Sequence, residues 1–393
     1  MEPSTAMGIT DLSAAAALAE LVRFPSVSAI SNADVSERVH QWLASMGFAV
    51  EVTEYRDEAG VAKVNLVARR DPQSRSASTT GGLAYFCHTD VVPVADWNGP
   101  GGDPFEAVVT DDRIYGRGSC DMKGSLVSMM QAASRISAAD QTAPLWIVCT
   151  ADEEVGFEGA THMVHHSPAY REIVESQPLA IIGEPTGLRV VHAHKGITGF
   201  SVTSKGRAAH SSTDEGVNAN IAITPIMELL CELAETTRTD PSLADSRFDP
   251  PHLSWTFGIS DGCTAVNITP GRSVAWCSLR PMPDINGESL IARVESEALR
   301  RGLTFRRFKG GHPVWIEPDA DCIESMCQIA GGPPMTVCYG TDGGEFDELD
   351  QRVIFGPGNI AQAHTTDEWI SLDQLHRGTE LYAQAIRRWC MQD

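Results

Sequence analysis

Apolar side chains recur at helical spacing over Asp11–Val22 and again over Val35–Met46. Asp11 and Asp34 are candidate caps for these two helices, and Gly47 is a stop for the second. Three compact apolar runs come next: Gly82–Cys87 (GLAYFC), Pro144–Thr150 (PLWIVCT) and Leu179–Ile182. Each is short and unbroken, which predicts buried strands, with a further short strand at Asn65–Arg69. Asp71–Thr80 is polar and predicts a loop, and Lys123–Ile136 predicts a helix. Each apolar run ends on polar residues. His88 comes after the first, Asp152, Glu153 and Glu154 after the second, and Glu184 after the third. Strands alternating with helices, with polar groups gathering at one strand end, predict an α/β sheet with its site at the carboxyl edge.

The pattern changes after Glu184. Ile197–Ser204 alternates, Asn218–Glu235 is helical with Pro225 as its start or a kink, and His252–Ser260 and Ser273–Arg280 alternate again. Glu288–Arg301 is helical and Leu303–Phe308 is a last strand. Strand, helix, strand, strand, helix, strand predicts a small α+β layer of ferredoxin-like type. The chain then returns to a βα pattern with Val353–Gly356 and Leu372–Cys390. The expected organisation is therefore an α/β catalytic domain with a mixed central sheet, 1–192 and 304–393, interrupted by an inserted domain, 193–303. Apart from the loop near Ser74 there is no low-complexity tract, and no repeat of solenoid period.

Composition narrows the partners. A chain of 393 residues exceeds one ordinary domain, and a net charge of −22 repels phosphate backbones and anionic membranes alike. That charge still permits a local cationic pocket. The 10 cysteines are scattered with no CxxC pair, Cys322 and Cys327 being the closest, as expected of thiols in a reducing compartment. The start, MEPSTAMGITD, has no basic segment, and Glu20 and Arg23 interrupt the apolar run Ala14–Phe24. Neither a signal peptide nor a membrane span is expected, and the cytoplasm is the expected location.

Several residues carry candidate chemistry. His88 and Asp90 point the same way from a strand end, and a metal-bound imidazole needs its second nitrogen held, a task Asp90 could perform. Asp121 sits in GRGSCDMKG, where Gly116 and Gly118 allow a tight path; alone it reads equally as a helix cap. Glu153 and Glu154 form a solvated acidic turn or a pair that needs a nearby cation, because burying both is otherwise costly. Glu184 lies in a GEPTG turn, and His364 has no motif of its own. His162, His165 and His166 match no ligand pattern. Taken together, His88, Asp121, Glu154, Glu184 and His364 are the donors a pair of zinc ions needs if one carboxylate bridges them. Glu153 is then spare and free to move a proton.

In this order along the chain, HTD, GRGSCDMKG, TADEE, GEPT and the late AH resemble the zinc-dependent aminoacylase, deacetylase and carboxypeptidase metallohydrolases, over nearly the whole length. The deacetylase branch is the most similar: Cys120 precedes Asp121, and AHKG, GRAAHSS and GPGNIAQAHTTDEW are present. The resemblance implies hydrolysis of an N-acyl amino acid, with two zinc ions that cobalt can replace. Asp121 would bridge the ions, His88 and Glu184 would complete one site, and Glu154 and His364 the other. Glu153 would be the general acid/base acting on zinc-bridged hydroxide. His210 would hold the oxyanion from a partner subunit, while Asn267 and Arg280 would bind the substrate carboxylate. The inserted domain would act as lid and homodimer contact, using the apolar side of Ile221–Leu233. A cis peptide is implied at Asp121–Met122. Desuccinylases of this kind usually carry a small residue where Cys120 stands, and dipeptidases more often carry aspartate at the Glu184 position. Asp342 departs from the glutamate of many deacetylases, which leaves the side-chain pocket around Asp342 and Glu345 open. A silent binding protein of the same fold would lack a ligand or the base, and here none is missing.

Overall fold

In the computed structural model, which describes residues 7–73 and 78–391, helix α1 (Ala14–Val22) is capped by Ser13, whose hydroxyl accepts from Ala16 N at 3.2 Å. Asp11 lies outside that helix and accepts from Gly8 N instead. Asp34 likewise sits in the first turn of α2 (Ala33–Ser45), not at its cap. The start of the chain at 1–6 and part of the expected loop, 74–77, lie outside the described residues. The described chain divides into two units.

The first unit comprises the chain up to Ala193, Ile316–Met335, and the chain from Thr341 onward. Its sheet contains β1 (Ala49–Arg56), β2 (Ala62–Arg70), β3 (Leu83–His88), β4 (Leu145–Thr150), β5 (Leu179–Ile182) and β6 (Val191–His194). Their spatial order is β1-β2-β4-β3-β5, then the strand Arg352–Ile354, then β6. The sheet is mixed. β3 runs parallel to both β4 and β5, and β5 is parallel to Arg352–Ile354, whereas β1 and β2 are antiparallel additions. All residues of β3, β4 and β5 are buried, which is why these strands read as unbroken apolar runs. Helices α3 (Gly124–Ser134), α4 (Glu158–His166) and α5 (Pro168–Ser176) fill the crossovers. The polar groups under this cover are paired: Tyr85, Ser125 and Tyr382 hydroxyls form a chain of 2.8 Å bonds ending on the Phe355 carbonyl.

The second unit, His194–Trp315 with Thr336–Gly340, is a β-α-β-β-α-β layer. β7 (Ile197–Lys205), β8 (Ser254–Ser260), β9 (Arg272–Arg280) and β10 (Thr304–Gly311) are antiparallel in the order β8-β9-β7-β10. This is the ferredoxin-like arrangement, with α6 (Ala219–Thr239) and α7 (Glu288–Arg300) as its helices. Pro225 lies inside α6, which begins at the Asn218 cap. One expected boundary moves. The return to the first unit falls after Trp315 rather than at 304, because β10 pairs along β7 from Thr304 to Gly311. Arg306, Arg307 and Lys309 keep β10 largely exposed and hide its membership in the sheet from an apolar pattern. Back in the first unit, α8 (Asp321–Ala330) and α9 (Leu372–Cys390) close the fold, with Ser128 of α3 donating to Leu375 O at 3.0 Å. Among the described residues no helix is long and apolar enough to cross a membrane.

Candidate metal centre

Register places the donors. His88, the last residue of β3, is opposite Thr150 at the end of β4, and Phe86 is opposite Ile182 at the end of β5. His88, the turn after β4 and Glu184 therefore leave the sheet at one level. His88 is 1% exposed, and its Nδ1 lies 2.9 Å from the carbonyl oxygen of Asp90. A carbonyl can only accept, so Nδ1 carries a proton and Nε2 is the nitrogen turned to the acids. That Nε2 stands 3.1 Å from Asp121 Oδ1 and 3.9 Å from Glu184 Oε1.

The other oxygen of Asp121 has a second set of neighbours. His364 Nε2 lies 3.4 Å from Asp121 Oδ2 and 3.0 Å from Glu154 Oε2. Each carboxylate oxygen of Asp121 thus faces its own imidazole–carboxylate pair. Donor atoms of His88, Asp121 and Glu154 lie within 4.8 Å of one another. The Asp121–Met122 peptide is cis.

The electrostatics describe a site short of positive charge. Burial pushes the Glu184 carboxyl well above its ordinary range, and Asp121 adds to this despite the opposing His88. Glu153 is half-buried and is raised in the same way, by burial first and then by Glu184, Glu154 and Asp342 against the pull of His88. Burial would raise Asp121 too, but hydrogen bonds from His364 and His88 outweigh it and hold this carboxyl low. Hydrogen bonds to Asp121 and Glu154 lift His364 to about 10. One buried oxygen, Glu184 Oε1, has no hydrogen-bond partner. Carboxylates crowded around two imidazoles, with an orphaned oxygen among them, fit divalent cations of the kind that take nitrogen and oxygen ligands.

Asp90 does not do what its spacing suggests. Its carboxylate is 3.8 Å from His88 Nδ1, and the backbone carbonyl holds the ring instead. The side chain accepts from Ser28 Oγ at 2.7 Å, Glu153 N at 3.2 Å and Glu154 N at 3.4 Å. A strand-end carboxylate is close to the backbone of the neighbouring turn, and those N–H groups take it. Asp90 thereby fixes the turn that carries Glu153 and Glu154. Asp152 anchors the same turn from behind through buried Lys63, at 2.7 Å, and the Tyr55 hydroxyl, at 2.8 Å.

Two supporting charges are not singled out by sequence reasoning: Glu368, a fully buried carboxylate paired with Arg117, and Lys63. Glu368 lies in the charged stretch HTTDEW and Lys63 in AKVNLV, where nothing distinguishes them from surface charges. A carboxylate a few residues beyond a candidate ligand histidine, just before the strand Trp369–Ser371, is the one available signal. In the second unit, exposed His210 and Asn267 are brought together: Ser211 N donates to Asn267 O at 3.0 Å, and His210 is bridged to Ile268. Arg280 is not with them. It ends β9, whose opposite end, Arg272, pairs with Lys205 just before the His210 segment.

A profile of peptidase family M20/M25/M40 matches residues 84–388. The chain belongs to that family and is a metal-dependent hydrolase acting on amide bonds. It is 32% identical over 385 residues to an acetylornithine deacetylase of Myxococcus xanthus, covering 95% of this chain and 97% of that one. It is 30% identical over 389 residues to an acetylornithine deacetylase of Vibrio vulnificus (strain CMCP6), covering 93% and 96%. Among solved structures, human carnosine dipeptidase 1 superposes with TM-score 0.70 at 18% identity, over 94% of this chain and 95% of that one. The M20 family metallo-carboxypeptidase Sso-CP2 from Sulfolobus solfataricus gives 0.73 at 17%, over 94% and 97%. At such identities these two establish the fold.

Proposed function

We propose that this chain removes the N-acyl group of an N-acyl amino acid, with N2-acetyl-L-ornithine and water giving L-ornithine and acetate, a step of arginine biosynthesis. The observation that carries the reading is the arrangement about Asp121: His88 and Glu184 on one oxygen, His364 and Glu154 on the other, and Glu153 beside them. Asp121 and the four side chains His88, Glu184, His364 and Glu154 about its two oxygens would hold two zinc ions, which would supply Lewis acidity toward the amide carbonyl and an acidified water. Glu153 takes the proton of the attacking water on its carboxylate and delivers it to the departing amine. Asp90, by accepting from Glu153 N, keeps that carboxylate in place.

His210 supports the oxyanion. Its Nδ1 accepts from Ser212 N at 3.2 Å and Ser212 Oγ at 2.7 Å. A backbone N–H only donates, so the neutral ring carries its proton on Nε2, where it is available as a donor. Arg280 offers a planar fork for the substrate carboxylate, with Asn267 as a further polar contact. Along β9 the two ends of this constellation are separated by roughly 26 Å at strand rise. One small substrate can meet both His210 and Arg280 only if two copies contribute, which supports a homodimer formed through the second unit. Exposed Val217 and Ile221, at 54% and 72%, supply apolar surface for it.

The side chain of ornithine is a cation, and the acids around Asp342 suit it. Asp342 is buried and its charge acts on Glu153 and Glu184; burial lifts it to about 6 against His88 and the Thr150 hydroxyl. Glu345 accepts from Thr161 Oγ1 at 2.9 Å, and its other oxygen is buried without a partner. Free cysteines throughout accord with the cytoplasm. The test is acetate or amine release by zinc- and cobalt-loaded protein offered acetylornithine, acetylcitrulline, succinyl-diaminopimelate and a dipeptide. Acetylornithine is expected to have the highest kcat/KM; a dipeptide or succinyl substrate turned over far better would replace the proposed substrate.

A further inference from the structure

Two chain segments far apart in sequence must cooperate if both oxygens of Asp121 are to hold cations: the GRGSCD turn that ends in Asp121, and the segment from His364 to Trp369. One buried carboxylate joins them. Glu368 is 0% exposed. Its Oε1 accepts from Cys120 N at 2.9 Å and Asp121 N at 3.0 Å, and its Oε2 accepts from Gly118 N at 3.2 Å and from Arg117 Nη1. Its own backbone carbonyl accepts from Gly116 N at 3.0 Å. The turn carrying Asp121 is thus wrapped around the Glu368 carboxylate, one N–H after another. Arg117, 2% exposed, completes the link: its second amino group donates to the carbonyl of Thr365, next to His364, at 3.0 Å.

The arrangement explains why a full negative charge is kept buried here. Backbone N–H groups directed at an anion are satisfied by short, charge-assisted bonds. No neutral side chain presents two acceptor oxygens in that fork. Glutamine would turn an amide donor toward Arg117 and Gly118 N, or toward Cys120 N and Asp121 N. Either way, donors would face a donor on one side of the turn.

We infer that Glu368 and Arg117 are positioning residues that lock the Asp121 turn to the His364 segment, so that neither cation of the pair is held at full affinity without them. The inference rests on the two-cation reading above, and the experiment separates the two. Wild-type protein stripped by chelator is titrated with zinc against a chromophoric competitor, beside Glu368→Gln, Arg117→Lys and Glu20→Gln. The last variant breaks the partly buried Arg38–Glu20 pair between α1 and α2, Nε to Oε1 2.6 Å, away from the centre. Wild type is expected to bind two zinc ions. Glu368→Gln is expected to lower zinc affinity by about 10- to 100-fold, the range for loss of a partner that orients a ligand. Its kcat is expected to fall, while KM for the acyl substrate moves less than about threefold because no substrate contact is removed. Arg117→Lys keeps the buried charge but cannot span Glu368 and Thr365, so it is expected to weaken the binding of both zinc ions. Glu20→Gln lowers Tm and leaves zinc affinity unchanged. If Glu368→Gln binds both zinc ions like wild type, or merely loses Tm as Glu20→Gln does, the inference is overturned. Should Glu368→Gln fail to fold, wild-type zinc affinity in Arg117→Lys overturns it equally. A wild-type protein that binds no zinc sinks the two-cation reading itself.

Discussion

The two regions that carry candidate chemistry are built on opposite terms. In the first unit His88, Asp121 and Glu184 are buried, and the backbone around them is held by further buried carboxylates: Asp90 under Glu153 and Glu154, Glu368 under Asp121. In the second unit His210 and Asn267 are exposed, and His210 is oriented by a single neighbouring serine. A centre that must gather like charges before anything binds has to be imposed by the core, because nothing about the side chains alone would bring them together. An exposed ring needs little more than its neighbouring serine to fix the tautomer.

That contrast can be broken at several points. The largest effect is expected at Glu153: replacement by alanine should lower kcat by about 10²- to 10⁴-fold with zinc stoichiometry unchanged, read from steady-state rates and metal analysis. His210→Ala should cost about 10²-fold in kcat, as for one oxyanion donor, again without loss of zinc. Mixing and re-equilibrating Glu153→Ala with His210→Ala should restore part of the activity, since a mixed dimer regains one complete site; no recovery would mean that His210 works within its own chain. Lys63→Met leaves Asp152 buried without its ion pair and should lower stability by about 3 kcal/mol in denaturant unfolding.

A smaller effect appears in pH. In the cation-free protein the His364 pKa is raised from 6.5 to about 10 by hydrogen bonds to Asp121 and Glu154. Its contribution to stability is therefore complete below about 6.5 and is lost as pH rises through about 10. A cation must displace that proton, so zinc affinity should rise with pH across this window, and calorimetry in buffers of different ionisation enthalpy should show proton release at about pH 8. The smallest effect is expected at Ser212→Ala: a few-fold loss of kcat, about 1 kcal/mol, for one hydrogen bond to an exposed ring.

Legibility in the sequence divides along the same line. The candidate ligands are readable because metal chemistry demands particular side chains and the strands that deliver three of them are unbroken apolar runs. The groups that hold them are not. Asp90 stands out by spacing, but spacing assigns it the wrong bond: it shows that two side chains share a side, not which backbone N–H groups compete for the carboxylate. Glu368, Arg117 and Lys63 stay hidden because a buried charge and a surface charge have the same letter. Helices α4, α5 and α8 are 9, 9 and 10 residues long, so each offers fewer than three turns of periodicity to read. β1 is an edge strand with none of its residues fully buried, so its alternation is faint. The boundary near 304 slips because β10 is an exposed, arginine-bearing edge strand.

Gly358 shows how little slack the centre has. Its φ is +96°, and a Cβ built there would stand 2.7 Å from Cys120 Sγ and 3.1 Å from Pro185 Cβ. Those atoms belong to the turns that carry Asp121 and Glu184, while Gly358 itself lies on the approach to His364. One methyl group would act as a wedge driven between the segments that carry Asp121, Glu184 and His364. Directed variation of this chain therefore has to treat position 358 as closed, since a change of a single carbon there would move candidate donors on both sides of Asp121 together.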